Sequence, residues 1–408
     1  MSLKNKKILL IIGGGISAYK SLDLIRLLQR KDCSVKVILT KTGKKFVTSL
    51  SISSLSKNRV FEDTFGDKNS GKMDHISLSR WADATIVLPS TANFMSKLSR
   101  GSADDLATTV ILASDKETFL VPAMNVRMWE HKATQKNLNT LFDYGYKFIG
   151  PQDGEMACGE YGKGKMSSPR QIISYLENFF KQKDYFKKKN IRATVTAGPT
   201  REYIDPVRYI SNESSGKQGY EIALELSRLG VKTTLISGPT NINYSNEIKV
   251  KKIISGKQMF NEIKKTLPTD IAVCTAAVSD FKPVMKNKQK LKKKINLDKI
   301  QLEQNPDILE FLGKNNRHRP KLLVGFSAET ENIIKNSVEK MHEKHCDIIV
   351  ANDVSSKETG FNVDFNEVTI IENNGEIQKI KKGSKKFIAS IIAKKIINSF
   401  LDIKKRLN

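Results

Sequence analysis

Apolar runs of strand length alternate with segments of helical periodicity along this chain, and the alternation is written twice. In the first half, KKILLII (6–12), SVKVILT (34–40), ATIVLPS (84–90) and TFLVPA (118–123) read as buried strands. Between the first two, SAYKSLDLIRLLQR (17–30) carries its apolar residues at helical spacing. A helix predicted over Pro169–Phe180 opens at a Ser-Ser-Pro start signal. The next segment, KQKDYFKKKN (181–190), is charged, shows no clear apolar face and reads as a linker. The pattern then restarts. IRATVTAG (191–198), VKTTLIS (231–237), IAVCTAA (271–277), LLVGFSA (322–328) and DIIVAND (347–353) read as strands, with a helix over Lys217–Leu229. Alternation of this kind implies parallel sheets with helices on both faces. The expected fold is α/β: two doubly wound parallel-sheet (Rossmann-like) domains in tandem, over residues 1–180 and 191–408. A GPT triplet at 198–200 recurs at 238–240, each time after a strand, and marks two loops of one type rather than a repeat.

Several function classes fall away. No apolar run approaches the roughly 18–20 residues of a membrane span. The basic, apolar start MSLKNKKILLIIGGG runs into three glycines and a helical pattern, so it reads as a first strand and not as a signal peptide. The expected compartment is the cytoplasm. The net charge of +26 invites a nucleic-acid reading. Lysine is spread over nearly every segment, however. Runs such as Lys286–Lys294 have no interleaved aromatics, and no nucleic-acid-binding motif occurs. Neither nucleic acid nor membrane is expected as a partner.

The four cysteines, at 33, 158, 274 and 346, lack the paired spacing of a metal knuckle or redox motif. Cys33 and Cys274 are expected to be buried packing residues. Cys158 differs, because it lies in GEMACGEYGKGKM (154–166), a glycine-rich segment that reads as mobile chain. His342, His345 and Cys346 in KMHEKHCD are expected on a solvated helix face with no metal. Asp104 and Asp105 are expected to complement a helix N-terminus.

Gly13, Gly15 and Ala18 match G-x-G-x-x-A directly after a strand, the fingerprint of a dinucleotide site. The second strand ends in Leu39-Thr40-Lys41, without the acidic residue a nicotinamide ribose needs. One phosphate at a helix N-terminus, as in FMN, suits these residues better. In the second half, Ser214-Ser215-Gly216-Lys217 at a helix start is a ready anion site. It is not a Walker A loop, since Gln218 stands where Ser or Thr belongs.

GGGISAYK (13–20), LPSTANFMSKLSRGSADDLATT (88–109), PAMNVRMW (122–129) and ACGEYGKGKM (157–166) resemble the flavin-dependent cysteine decarboxylase family over nearly all of 1–180. The resemblance implies FMN and a reaction in which the substrate thiol is oxidised to a thioaldehyde, carbon dioxide leaves, and hydride and a proton return. It casts Cys158 as the acid that supplies the proton, Asn125 as the holder of the substrate carboxylate, and His75 as an aid to oxidation and decarboxylation. It implies flavin contacts at Gly15, Ser90, Thr91, Asn93 and Met124, with Ser17 and Thr40 near the phosphate. Two departures stand out: Lys165 where the flap usually ends in arginine, and Ser17 where alanine is common. Relatives of this fold also bind FMN as regulators without catalysis, but both His75 and Cys158 are present here.

AAVSDF (276–281), KLKKK (290–294), NPDI (305–308), GFSAET (325–330) and AND (351–353) are similar to the CTP-dependent phosphopantothenate–cysteine ligase family over most of 191–400. In bacteria this ligase is often fused behind the decarboxylase, in the order found here. The implied reaction activates the carboxylate of 4′-phosphopantothenate as an acyl-cytidylate, which cysteine then attacks. Lys290 matches the lysine of the activation step, and Asn212 the asparagine beside the acyl-cytidylate. Arg208, Ser214, Ser215, Gly216, Lys217, Asn305 and Asp307 are expected near substrate or nucleotide, with Ala276 and Phe326 lining the nucleotide pocket. Asp280 is the expected Mg²⁺ ligand. The resemblance further implies a homo-oligomer of decarboxylase trimers and ligase dimers.

Overall fold

The computed structural model describes residues 3–62, 74–291, 299–315, 317–354 and 363–407. The chain divides into two compact units, Met1–Gln182 and Lys183–Asn408.

In the first unit six strands form one parallel sheet: β1 (Lys7–Ile12), β2 (Ser34–Leu39), β3 (Val60–Phe61), β4 (Ala84–Ser90), β5 (Glu117–Pro122) and β6 (Lys147–Phe148). Their order is β3-β2-β1-β4-β5-β6, so the winding reverses between β1 and β4. That reversal opens a crevice at the carboxyl ends of the strands, where doubly wound folds bind ligands. Ile8 to Ile12 are fully buried, as a strand covered on both faces requires. The segment after β1 turns first as a short 3₁₀ piece, Ile16–Tyr19, and the α-helix begins at Lys20. This helix, Lys20–Arg30, buries Leu24, Ile25 and Leu28. Asp105 caps the helix Leu106–Leu112 by accepting from the Thr108 N–H at 2.8 Å, and Asp104 pairs with Lys97 at 2.7 Å. The expected helix-start role thus falls to Asp105.

The glycine-rich segment is not featureless chain. It folds as an antiparallel hairpin of β7 (Gln152–Glu155) and β8 (Tyr161–Lys165). The boundary between the two units falls inside the expected linker 181–190, but that segment is helical. A single helix, Pro169–Lys189, runs through 181–189. Phe186 is fully buried there, its ring 6.1 Å from that of Phe400 in the second unit's own core.

In the second unit β9 (Arg192–Ala197) lies inside the sheet, with a strand paired on either side. A small hairpin follows, β10 (Glu202–Tyr203) with β11 (Tyr209–Ile210). After the helix Lys217–Arg228 come β12 (Lys232–Ser237), β13 (Lys249–Lys252) and β14 (Ile271–Cys274). A second small pair, β15 (Phe281–Pro283) and β16 (Leu302–Gln304), precedes β17 (Leu322–Glu329) and β18 (Ile348–Asp353). The chain ends with β19 (Phe365–Glu372), β20 (Ile377–Ser384) and the helix Lys385–Leu407. The sheet order is β13-β12-β9-β14-β17-β18-β19-β20, parallel as far as β18, with β19 and β20 antiparallel. The two GPT loops follow the neighbouring strands β9 and β12, where the Gly238 N–H donates to the Ala197 carbonyl at 2.9 Å. Cys346 is a further correction. The helix Ile333–Glu343 stops before it, His345 takes φ +53°, and Cys346 turns into the core at 5 % exposure. Among the described residues no group of three metal-ligating side chains occurs, and no helix is long and apolar enough to cross a membrane.

Candidate active sites

In the first unit, the loops after β1 and β5 and the β7–β8 hairpin surround a cavity of about 500 Å³. Gly15, Ser17, Met124, Asn125, Cys158 and Lys165 all line it. The Met156 N–H donates to the Glu160 carbonyl and the Gly159 N–H to the Met156 carbonyl, both at 2.9 Å, which closes the hairpin tip around an exposed Cys158. Asn125 caps the short helix Val126–Glu130, its Oδ1 accepting from the Met128 N–H at 3.1 Å. That cap turns Nδ2 towards the hairpin, where it lies 3.9 Å from Cys158 Sγ and donates to the Glu160 carboxylate. Arg127 Nε stands 3.9 Å from the same carboxylate. The reading of the sequence did not single out Glu160, although it sits inside the quoted flap stretch.

The hairpin is seated by contact. The Met124 N–H donates to the Gly164 carbonyl at 3.1 Å, and a Cβ on Gly164 would lie closer to the Met124 carbonyl oxygen than the 3.0 Å that real Cβ atoms respect. Glycine was expected to supply mobility; at this position it supplies close approach of two backbones.

The remaining first-unit candidates divide. Ser90 is fully buried with its hydroxyl unpartnered, an orphan at the end of β4 that a flavin edge would satisfy. Lys20, not singled out before, joins Ser17 in lining the cavity and adds positive charge for a phosphate. These features fit FMN. Thr91 caps the helix Ala92–Ser99, accepting from the Phe94 N–H at 3.3 Å, and Asn93 is exposed on its first turn. Thr40 donates to the Ile12 carbonyl at 2.9 Å and accepts from the Gly43 N–H at 3.1 Å, so it closes its own loop rather than lining the cavity. His75, half-buried near the start of the helix Asp74–Trp81, also stands outside the cavity lining.

In the second unit two cavities, of about 560 and 720 Å³, share Ala276, Val278, Asp280, Phe326 and Lys340. The first continues to Asn305, Asp307 and Lys344. The second continues to Asn212 and Ser214–Gly216. A further cavity of about 750 Å³ also takes in Asn212, Ser214 and Ser215 and adds Lys217. Asn212 is held by donation from Nδ2 to the Val278 carbonyl at 3.0 Å. Asn305 donates to the Ser279 carbonyl at 2.8 Å and leaves its Oδ1 buried without a partner. Asp307 caps the helix Ile308–Lys314, accepting from the Glu310 N–H at 2.9 Å, and pairs with Lys344 at 3.2 Å. Lys340 and Lys344 were missed because their helical spacing resembles an ordinary solvated face.

Arg208 and Lys290 line none of these cavities. The Arg208 guanidinium donates to Asp205 Oδ2 at 2.6 and 2.9 Å and to the Leu291 carbonyl at 2.9 Å. Asp205, whose side chain is fully buried, also accepts from the N–H groups of Val207 and Arg208 at 2.8 Å and of Leu291 at 3.2 Å. Burial opposes ionisation of this carboxyl, but the Val207 amide and the Arg208 guanidinium outweigh it and hold Asp205 well below the usual carboxylate range. The clamp anchors the chain one residue beyond the exposed Lys290. Asp280 offers one exposed carboxylate at the junction of the two cavities. A single carboxylate completed by phosphate oxygens is a donor set that suits Mg²⁺.

Two doubly wound units, one with a thiol-tipped hairpin over its crevice and one with a long polar cleft, define a two-domain α/β enzyme architecture. The family described as "Flavoprotein" matches residues 1–181, and that described as "DNA/pantothenate metabolism flavoprotein C-terminal domain" matches 188–400. The coenzyme A biosynthesis bifunctional protein CoaBC of Haemophilus influenzae is 40 % identical over 98 % of this chain and 99 % of its own length. The protein of the same description from Bacillus subtilis is 38 % identical over 94 % of each chain. A solved structure, the C-terminal domain of a CoaBC protein, aligns at 36 % identity and a TM-score of 0.44 over 52 % of this chain and 96 % of that one. The chain belongs to the family of bifunctional coenzyme A biosynthesis proteins, with a flavoprotein decarboxylase domain followed by a ligase domain.

Proposed function

We propose that the second unit ligates cysteine to 4′-phosphopantothenate at the expense of CTP, and that the first unit decarboxylates the conjugate to 4′-phosphopantetheine. The boundaries are those of the sequence reading, with the 181–190 linker helical through Lys189. In the ligase cleft Asp280 would hold Mg²⁺, which would supply charge neutralisation to the phosphates, and Asn212 orients the activated acyl group; Lys290, on the loop outside these cavities, is the lysine of the activation step. Arg208 acts through Asp205 and Leu291 by fixing the loop that carries Lys290.

In the decarboxylase cavity, Gly15, Ser17 and Lys20 would hold the flavin phosphate, and Ser90 and Met124 its ring edge. Bound FMN supplies a two-electron sink for the substrate thiol carbon. The Asn125 amide holds the substrate carboxylate until carbon dioxide leaves. The Cys158 thiol then gives its proton to the substrate carbon, and the closed hairpin keeps water out. The observation that carries this reading is the meeting of Asn125 Nδ2 and Cys158 Sγ at 3.9 Å on one cavity wall. His75 stands apart from that wall within one chain. In the trimer implied by the resemblance the flavin lies near a subunit interface, which gives His75 a route to a neighbouring site; sedimentation of the full chain tests the trimer. Four unpaired cysteines suit a reducing cytoplasm.

The test is product mass spectrometry on the FMN-loaded chain supplied with 4′-phosphopantothenate, cysteine, CTP and Mg²⁺. Expected products are 4′-phosphopantetheine and CMP, and Cys158→Ser should stop short of the former. Accumulation of the cysteine conjugate by the unaltered chain would sink the decarboxylase assignment and leave the ligase.

A further inference from the structure

Glu160 sits on the hairpin tip, two residues past Cys158. Its backbone is fixed, because the Glu160 carbonyl accepts from the Met156 N–H at 2.9 Å. Its carboxylate leaves the tip and accepts from the Asn125 amide. Both ends of that amide are thereby committed. Oδ1 accepts from the Met128 N–H at 3.1 Å, which decides where Nδ2 points. Nδ2 carries two hydrogens; one goes to the Glu160 carboxylate, and Cys158 Sγ stands at 3.9 Å for the other. The hairpin is thus tied to the loop after β5 at its base, by the Met124–Gly164 backbone bond, and at its tip, by Glu160. The tip tie is the one that holds the segment bearing the thiol.

The decarboxylase reading gives the same amide to the substrate carboxylate. Two carboxylates on one amide repel, the more so in a half-buried site. An entering carboxylate therefore has to displace Glu160. The displaced group has a second partner within reach: Arg127 Nε lies 3.9 Å from Glu160 Oε1, on an exposed side chain. Loss of carbon dioxide then removes the charge that kept Glu160 away.

We propose that Glu160 is a positioning residue of the decarboxylase, an internal carboxylate that trades places with the substrate's own on the Asn125 amide. Before the substrate enters, it holds the tip down. While the substrate carboxylate is bound, Glu160 rests against Arg127. When that carboxylate has left as carbon dioxide, Glu160 returns to Asn125 and seats Cys158 for proton transfer. The exchange makes and breaks hydrogen bonds only. It also sets a preference: a ligand with a carboxylate must expel Glu160, and the decarboxylated product need not. The inference rests on the decarboxylase reading of this cavity.

The experiment uses the full, FMN-loaded chain. Glu160→Gln keeps the size and an oxygen acceptor and removes the charge. Two ligands are titrated by calorimetry: 4′-phosphopantothenoylserine, which keeps the carboxylate but has no thiol to oxidise, and the product 4′-phosphopantetheine, which has no carboxylate. In the variant the Kd of the serine conjugate should fall about tenfold, the weight of one charge-assisted competitor at a partly exposed site, while the Kd of the product holds within about twofold. A merely structural role would move both together. In parallel, the rate of native alkylation at Cys158 is read by peptide mass spectrometry; it should rise in the variant, because a neutral amide ties the tip less firmly. An unchanged or weakened affinity for the serine conjugate, a parallel change in both constants, or Cys158 alkylated no faster than in the unaltered chain would each overturn the proposal. Turnover of the cysteine conjugate by the unaltered chain separates the two possible failures: with turnover only this inference falls, and without it the decarboxylase reading falls as well.

Discussion

Replacing Gly164 by alanine is expected to cost about 10²-fold in decarboxylation and to leave ligation untouched. The new methyl group would press on the Met124 carbonyl oxygen, a backbone atom that cannot rotate aside. Overpacking of this kind costs about 1–3 kcal/mol. The residue also sits at φ +159°, at the edge of what an L-residue adopts, which adds roughly 1 kcal/mol. The sum, about 2–4 kcal/mol, falls on the Met124–Gly164 hydrogen bond that seats the hairpin, and each 1.4 kcal/mol is about tenfold in rate. The hairpin would lift, and Cys158 would leave Asn125. Gly159→Ala is the control. That glycine has φ +80° but open space around its Cβ position, so only the backbone term of about 1–2 kcal/mol applies. Both half-reactions are assayed on one sample: conversion of purified cysteine conjugate, and CMP release with cysteine. A Gly164→Ala enzyme within threefold of the unaltered one, or Gly159→Ala as the worse of the two, would refute the seating argument.

Asp205→Asn should weaken ligation while sparing decarboxylation, because it loosens the loop that presents Lys290. Its pH signature has a fixed sign: the Asp205 carboxyl is held below its unfolded value of ~3.9, so its stabilisation is complete above that pH and drains away as pH falls towards the folded value. Urea unfolding of the second unit across that acid range should show a flatter pH dependence in the variant. Phe186→Ala should destabilise the second unit by about 3–5 kcal/mol, read as a lowered denaturant midpoint of the full chain; a true linker would not notice the change. Under native alkylation Cys158 should react first, since burial pushes the Cys33 thiol up to about 11 and that of Cys346 up to about 12. Peptide mass spectrometry reads this directly, and equal modification of Cys346 would contradict its place in the core.

The central strands were legible because they are buried on both faces, which leaves runs such as ILLII with no polar alternative. The edge was not. In β20, IQKIKKGS, only Ile380 is buried, and its lysines protect an exposed edge in the same composition a loop would carry. The segment 181–189 failed for a related reason: one deeply buried phenylalanine per two helical turns gives too little periodicity to register. The hairpin was hidden by its own glycines. Their missing side chains erase the alternation that marks a strand, and the Met124 backbone that makes Gly164 necessary lies far off in sequence.

The candidate sites show where motif reasoning stops. Gly15, Ser17, Met124, Asn125 and Cys158 converge on one cavity, each from a loop at a strand's carboxyl end or from the hairpin that covers it. Residue type alone does not say whether a polar group serves a ligand or its own loop. Thr40 and Arg208 have the right chemistry for phosphate, yet the Ile12 and Leu291 carbonyls and the Asp205 carboxylate take their donors. The converse case is Lys385. It belongs to no motif, since it opens a helix at the far end of the chain in a run of lysines that reads as solvated surface. Only the fold brings it beside Gly216 and strips it of water. Burial sets this lysine apart from the exposed Lys381 and Lys382 of the same run, and burial is decided by contacts that no short stretch of sequence records.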